Sequence, residues 1–235
     1  MKRVLYIVLM LAALAGCKEK EFDRDLAKIF RTWVAAYALT AEGEDYQQAV
    51  MSMERLRMRW GIYTAVNRPA IDANPAWHSA ASGVDDIILA AARDFSTGRA
   101  DRAHRGLAQV ADQMRDSWSV PPVMDLYLQY EETLGLLAEA ASDGVIDDAE
   151  LEGIRRLIPE ARARWSRIAK ADVQPILGED SVGYPAMLVP ETEAIEALAA
   201  ASSSGDRTAI LNAIKSMHAP YMRALKGLGD LNGLM

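Results

Sequence analysis

Apolar residues recur along this chain in steps of three and four. Leu26, Phe30, Trp33, Tyr37 and Ala41 form one such stripe, and Ala49, Met53, Leu56, Trp60 and Tyr63 form the next. The habit repeats at Val84, Ile88, Ala91 and Phe95, then at Ala103, Leu107, Val110, Met114 and Trp118. Val123, Leu126, Tyr130, Leu134, Leu137 and Ala141 make a fifth stripe, and Leu151, Ile154, Ile158, Ala161, Trp165 and Ile168 a sixth. Ile195, Leu198 and Ser202, followed by Ile210, Ile214, Met217 and Tyr221, complete the series. A period near 3.6 with polar residues between is the pattern of helices that pack on helices. It predicts eight of them, and the scarcity of β-branched runs agrees with an all-α protein.

Turn residues sort the eight into four hairpins. The joints are Ala41-Glu42-Gly43-Glu44, Ser96-Thr97-Gly98, Ser142-Asp143-Gly144 and Ser203-Ser204-Gly205-Asp206. Each offers a glycine to end one helix and polar residues to cap the next. Between hairpins the connections differ in length. Residues 64–83 hold Pro69 and Pro75, residues 171–190 hold Pro175, Pro185 and Pro190, and the middle connection is only Ser119-Val120-Pro121-Pro122. The order hairpin, long connection, hairpin thus occurs twice. It predicts two tandem four-helix bundles, 22–119 and 122–229, each with one long crossover. The alternative is a single eight-helix hairpin array. Trp77 and Tyr184, both beside prolines in the crossovers, are candidate contacts for a partner, packing of the crossovers being the commoner role for such residues.

The first residues follow different rules. Met1, Lys2 and Arg3 precede an unbroken apolar run from Val4 to Leu14, and Ala15 and Gly16 lead to Cys17. A basic start, a short apolar stretch and small residues make a secretion signal over 1–16. The apolar run is about 16 Å of helix at 1.5 Å per residue, short of the ~30 Å hydrocarbon core of a bilayer. Leu14-Ala15-Gly16-Cys17 resembles the lipobox of bacterial lipoproteins. That resemblance implies cleavage before Cys17, a diacylglycerol thioether on its sulfur, an acylated amino terminus, and a lipidated tether over 17–21. It also implies, since Lys18 is not the Asp that marks inner-membrane retention, an outer-membrane protein facing the periplasm. The alternative is a plain secretion signal that happens to hold a cysteine.

Composition fits that destination. Cys17 is the only cysteine, so no disulfide framework and no cysteine-based zinc or iron–sulfur site is available. Loss of Lys2 and Arg3 with residues 1–16 takes the net charge from −7 to −9. So acidic a chain has no electrostatic reason to seek nucleic acid or anionic lipid headgroups.

Chemistry-bearing patterns are sparse. The tandem unit is similar to cytochrome c-prime and the soluble b-type four-helix cytochromes in helix count, domain length and long middle connection. The most similar stretch is the last hairpin, Ser204-Gly205-Asp206 through Met217-His218-Ala219-Pro220-Tyr221-Met222-Arg223. The chain lacks the Cys-x-x-Cys-His of c-type haem attachment, and His218 lies about two turns earlier than the haem histidine of the b-type bundles. By that resemblance a haem would take His218 and, opposite it, Met124. Pro220, in the same helix, removes one backbone hydrogen bond.

Asp143-Gly144-Val145-Ile146-Asp147-Asp148-Ala149-Glu150 reads as the second half of a calcium loop, with Asp143, Asp147 and Glu150 as its carboxylates. Its first half would put Glu139 and Ala141 where short oxygen ligands belong. The same residues also read as a helix end at Gly144 followed by a capping box, with Asp147 as cap, Glu150 as its partner and Ile146 stapled onto Leu151. Met51, Met53, Met58 and Met114 are thioethers of the kind that suits copper(I). His78 and His104 have no second ligand at helical spacing and read as surface or capping residues. No nucleophile elbow, phosphate loop, dinucleotide fingerprint or zinc-protease motif occurs in the sequence, and the carboxylates lie mostly opposite the apolar stripes. The expectation is a lipid-anchored, non-catalytic binding or scaffold protein of the cell envelope, with no cofactor beyond the lipid on Cys17. Its partners would be the membrane, through that anchor, and an envelope protein or small ligand. The contrasting expectation is a metal- or haem-binding redox protein using His218.

Overall fold

A computed structural model describes residues 25–41, 46–115 and 122–230, and everything below concerns those residues. The lipobox and Cys17, the turn around Gly43, and the junction at 119–122 between the two expected bundles lie wholly or largely outside them. The described residues form no strand. Eight long helices carry the fold: α1 (residues 25–41), α2 (Tyr46–Val66), α4 (Pro75–Ser96), α5 (Ala100–Arg115), α6 (Pro122–Ala140), α7 (Asp148–Ala169), α9 (Tyr184–Ser204) and α10 (Arg207–Leu228). Two short helices, α3 (Arg68–Asp72) and α8 (Gln174–Leu177), and a 3-10 turn at Gly178–Val182 occupy the two crossovers. The all-α class and the helix periodicity are thus as the sequence predicts.

Local chemistry explains the helix ends. Gly98 and Gly205 sit at φ +79° and +73°, the left-handed conformation that a side chain resists, and so let α4 and α9 stop within one residue. Asp206 then accepts from Ala209 N at 3.0 Å to start α10. Asp147 and Glu150 form a complete capping box for α7, with Asp147 Oδ1 accepting from Glu150 N at 2.7 Å and Glu150 Oε2 from Asp147 N at 2.8 Å. Ile146, just before the cap, is buried.

The crossovers differ from the long loops expected over 64–83 and 171–190. Pro75 opens α4 directly, with Asn74 as its cap, and Pro185 stands in the first turn of α9. A proline there forfeits only an N–H that has no helical partner, and its fixed φ already suits the helix. Most of each supposed loop is therefore helix. Pro190 lies inside α9, and α10 likewise runs unbroken through Pro220.

Helix α1 carries more of the core than one stripe. Every residue from Thr32 to Thr40 is buried, around the whole girth of the helix. No charged residue occurs between Arg31 and Glu42, and a helix apolar all round belongs inside. Its contacts reach both halves of the chain. Trp33 Nε1 donates to Leu107 O of α5 at 2.8 Å, and Tyr37 OH donates to Glu131 of α6 at 2.5 Å. Arg59 of α2 donates to Lys28 O at 3.3 Å and pairs with Asp230 at 3.0 Å, while Asp230 N donates back to Arg31 O at 3.0 Å. One continuous buried cluster runs from Leu26 to Leu228.

Candidate functional site

The most organised polar group in the fold gathers on Glu131. Four helices contribute one residue each: Tyr37 from α1, His104 from α5, Glu131 from α6 and Tyr221 from α10. Tyr37 OH and Tyr221 OH both donate to Glu131 Oε2, at 2.5 and 2.8 Å. His104 Nε2 meets Glu131 Oε1 at 2.9 Å. On its other side His104 Nδ1 lies 3.0 Å from Tyr37 O and 3.4 Å from Thr40 Oγ1, and its ring stacks on Tyr37 at 4.0 Å. Each partner fixes another, so the carboxylate has one orientation.

Burial by itself would push the Glu131 carboxyl up. The hydrogen bond and charge of His104, with the two tyrosine hydroxyls, outweigh it and hold the group below its ordinary value of 4.5. Burial, the nearby carboxylate and the bonds donated to it in turn hold both phenols above theirs, so they remain donors.

Glu131 lines a cavity of about 190 Å³ as its one carboxylate. Its walls are Leu134, Leu137, Ala138, Ile214 and Met217, with Tyr221 beside the carboxylate and His218 at the rim. Apolar walls with one fixed polar group are the usual make-up of a small-molecule site. Gly135 also lines it, and a Cβ there would meet no atom within 4 Å.

A second tyrosine–carboxylate group lies deeper in the second half. Tyr130 OH donates to Glu191 Oε1, and the Tyr127 and Tyr184 hydroxyls share a hydrogen bond. Glu191 is 0% exposed, and its Oε2 has no partner. Burial pushes its carboxyl up to about 8, against the opposing Tyr130 bond. Trp165 packs edge-on near these rings and donates to Thr192 Oγ1 at 3.0 Å. A wider depression of about 370 Å³ lies at the first crossover, where Arg68 and His78 both reach Asp72, at 3.5 and 3.3 Å.

The residues singled out from sequence fall as follows. His218 is exposed and lines the Glu131 cavity, whereas Met124 is buried near the start of α6 and does not line it. Seven residues separate Met124 from Glu131, about 10 Å along the helix, so His218 and Met124 do not meet at one site. Asp143 Oδ1 accepts from Val145 N at 2.9 Å, and Asp147 and Glu150 accept from each other's backbone, so all three carboxylates serve the turn and cap. Among the described residues no group of three or more His, Cys, Asp or Glu is placed to hold a metal ion. Met53 and Met114 are core residues, while Met51 and Met58 are exposed, so the four thioethers do not share a surface. Tyr184 is not a loop contact but a buried residue of the first turn of α9, and Trp77, in the first turn of α4, is partly buried.

His104 departs most from expectation. It is neither a cap nor a free surface residue but the middle of a polar network that sequence spacing does not reveal. Its partners come from α1 and α6, far away in the chain, and no local spacing marks them.

No protein-family model, no curated protein and no solved structure matches this chain.

Proposed function

We propose that the chain is a lipid-tethered, non-catalytic helical binding module of the cell envelope, taking a small ligand in the cavity above Glu131. The lipobox-like Leu14-Ala15-Gly16-Cys17 supports the tether. One observation supports the ligand site: a carboxylate already oriented by donors from three other helices lines a largely apolar cavity. A ligand that presents a hydrogen-bond donor or a cationic head to Glu131, with a short apolar body against Leu134 and Ile214, complements it. Preorganisation favours binding because no side-chain ordering remains to be done. The network itself argues for holding rather than reacting, since three donors already engage the carboxylate that would act as a base.

The test is native mass spectrometry of protein purified from its own host, compared with Gly135→Leu. A Cβ at 135 meets no atom within 4 Å, so a leucine at this lining position has room at its base, and replacing glycine within a helix gains about 0.5–1 kcal/mol of helix propensity. The variant should be at least as stable as the parent and lack the parent's small-molecule adduct. A stable variant that carries the same adduct would refute the site. No adduct on the parent under any mild desolvation would refute the small-ligand reading.

A further inference from the structure

The outer face of α2 carries an apolar surface that the core does not use. Met58, Ile62 and Val66 are 60%, 59% and 71% exposed, and Gly61 and Ala65 between them are exposed too. These positions follow one another by three, one, three and one, which places all five on one side of the helix. Pro69 and Ala70 of α3 extend the exposed apolar run. From Met58 to Val66 none of these five positions is charged, and Gly61 and Ala65 border the depression that Arg68, Asp72 and Asp85 line. Arg57 and Arg68 are exposed beside it. The inner side of the same helix, with Leu56, Trp60 and Tyr63, is fully committed to the core. A helix apolar on both sides has two surfaces to cover, and scattered single residues would not repeat at helical spacing.

The chain itself says what lies near this face. Arg59 reaches Lys28 O and Thr32 Oγ1, so α1 and α2 run antiparallel, and the start of α1 lies beside the C-terminal half of α2. Cys17 stands eight residues before Asp25. At no more than ~3.6 Å per residue, that segment spans at most about 29 Å. An acylated Cys17 therefore keeps this end of the molecule close to the bilayer. Val182, 87% exposed, stands at the same end, two residues from Asp180, whose carboxylate pairs with Arg31 of α1 at 3.4 Å.

We infer that the Met58–Val66 face of α2, continued by Pro69 and Ala70, rests in the interfacial layer of the lipid bilayer that anchors the protein. The inference rests on the lipid tether proposed above. The apolar residues sink among the acyl-chain ends, and Arg57 meets lipid phosphates at the rim while Arg68 stays paired with Asp72, the arrangement of a helix that lies in the plane of a membrane interface. A single tether would leave the protein free to tumble. The second contact fixes which side faces the lipid.

The full chain, processed in a lipoprotein-forming bacterium and reconstituted into vesicles of equal parts phosphatidylethanolamine and phosphatidylglycerol, tests this. With Cys17 acylated, Ile62→Cys, Val66→Cys and the control Leu136→Cys on α6 each offer one thiol for an environment-sensitive fluorophore. The expected result is a blue-shifted emission at 62 and 66, quenched several-fold more by spin-labelled lipid than at 136. Vesicle flotation of the same samples reads the tether separately. Protein that floats while label at 62 and 66 stays as wet as at 136 overturns the inference and leaves the tether standing. Protein that does not float overturns both. A blue shift without vesicles, accompanied by doubled mass, assigns the face to a second copy of the chain and overturns the lipid contact.

Discussion

Replacing Glu191 by glutamine isolates the most perturbed acid in the fold. Glu191 is completely buried, accepts from Tyr130, and lies near Tyr127 and Tyr184. Its carboxyl is raised from 4.5 to about 8, burial being the largest cause. The folded protein therefore keeps a proton that the unfolded chain gives up above pH 4.5. Stability from this group is fully present below that pH and is lost as pH rises towards 8. Between pH 5 and pH 8 the loss amounts to roughly 3–4 kcal/mol, taken from 1.36 kcal/mol per decade of pH. Glutamine keeps an acceptor for Tyr130 and does not titrate. Glu131 works in the opposite sense, since its lowered carboxyl contributes above pH 4.5 and loses that contribution as pH falls. The informative quantity is thus the difference between parent and Glu191→Gln, which cancels Glu131 and every other group. Urea unfolding followed by Trp fluorescence, at pH 5 and pH 8, measures it. The variant should gain about 3–4 kcal/mol on the parent over that interval. A difference that stays within ~1 kcal/mol at both pH values would show Glu191 ionised in the folded state and refute the reasoning.

Other expectations are simpler. Ala36→Leu, at a fully buried site in α1, overpacks the centre of the fold and should cost about 1–3 kcal/mol, read as a lowered urea midpoint; an unchanged midpoint would mean that α1 is not enclosed. Asp147→Ala removes one half of the α7 capping box and should cost ~1 kcal/mol; calcium added in excess should leave the parent's thermal midpoint unmoved, and a clear rise would restore the calcium-loop reading of Asp143, Asp147 and Glu150. His104→Ala leaves Glu131 with only its tyrosine donors and should cost about 1–3 kcal/mol, whereas His218→Ala at the exposed rim should change stability by less than ~0.5 kcal/mol; equal losses would contradict the network's geometry.

Much of the fold was legible in the chain because periodic burial writes itself into periodic sequence. Eight stripes became eight long helices, and the glycines at 98, 144 and 205 stand at positive φ at the ends of the hairpins. The crossovers are helical where proline-rich loops are expected, because Pro75 and Pro185 stand in the first turns of α4 and α9. A proline at the first turn of a helix and one in a loop look alike until its place in the hydrogen-bond ladder is known. Helix α1 was read as one stripe, although the lack of charge after Arg31 already implied burial on all sides. The Glu131 group was not legible, because Tyr37, His104, Glu131 and Tyr221 lie on four helices and no local spacing connects them. The outer face of α2 was visible in principle. Met58, Ile62 and Val66 repeat at helical spacing, but the inward stripe of Leu56, Trp60 and Tyr63 on the same helix masks them in the sequence.

The account turns on Cys17. Mass spectrometry of the N-terminal peptide, from protein extracted in detergent from its native envelope, addresses it most directly. The expected peptide begins at Cys17 with acyl chains on its sulfur-linked glycerol and its amino group. A peptide that begins at Met1 and carries a free thiol would contradict it.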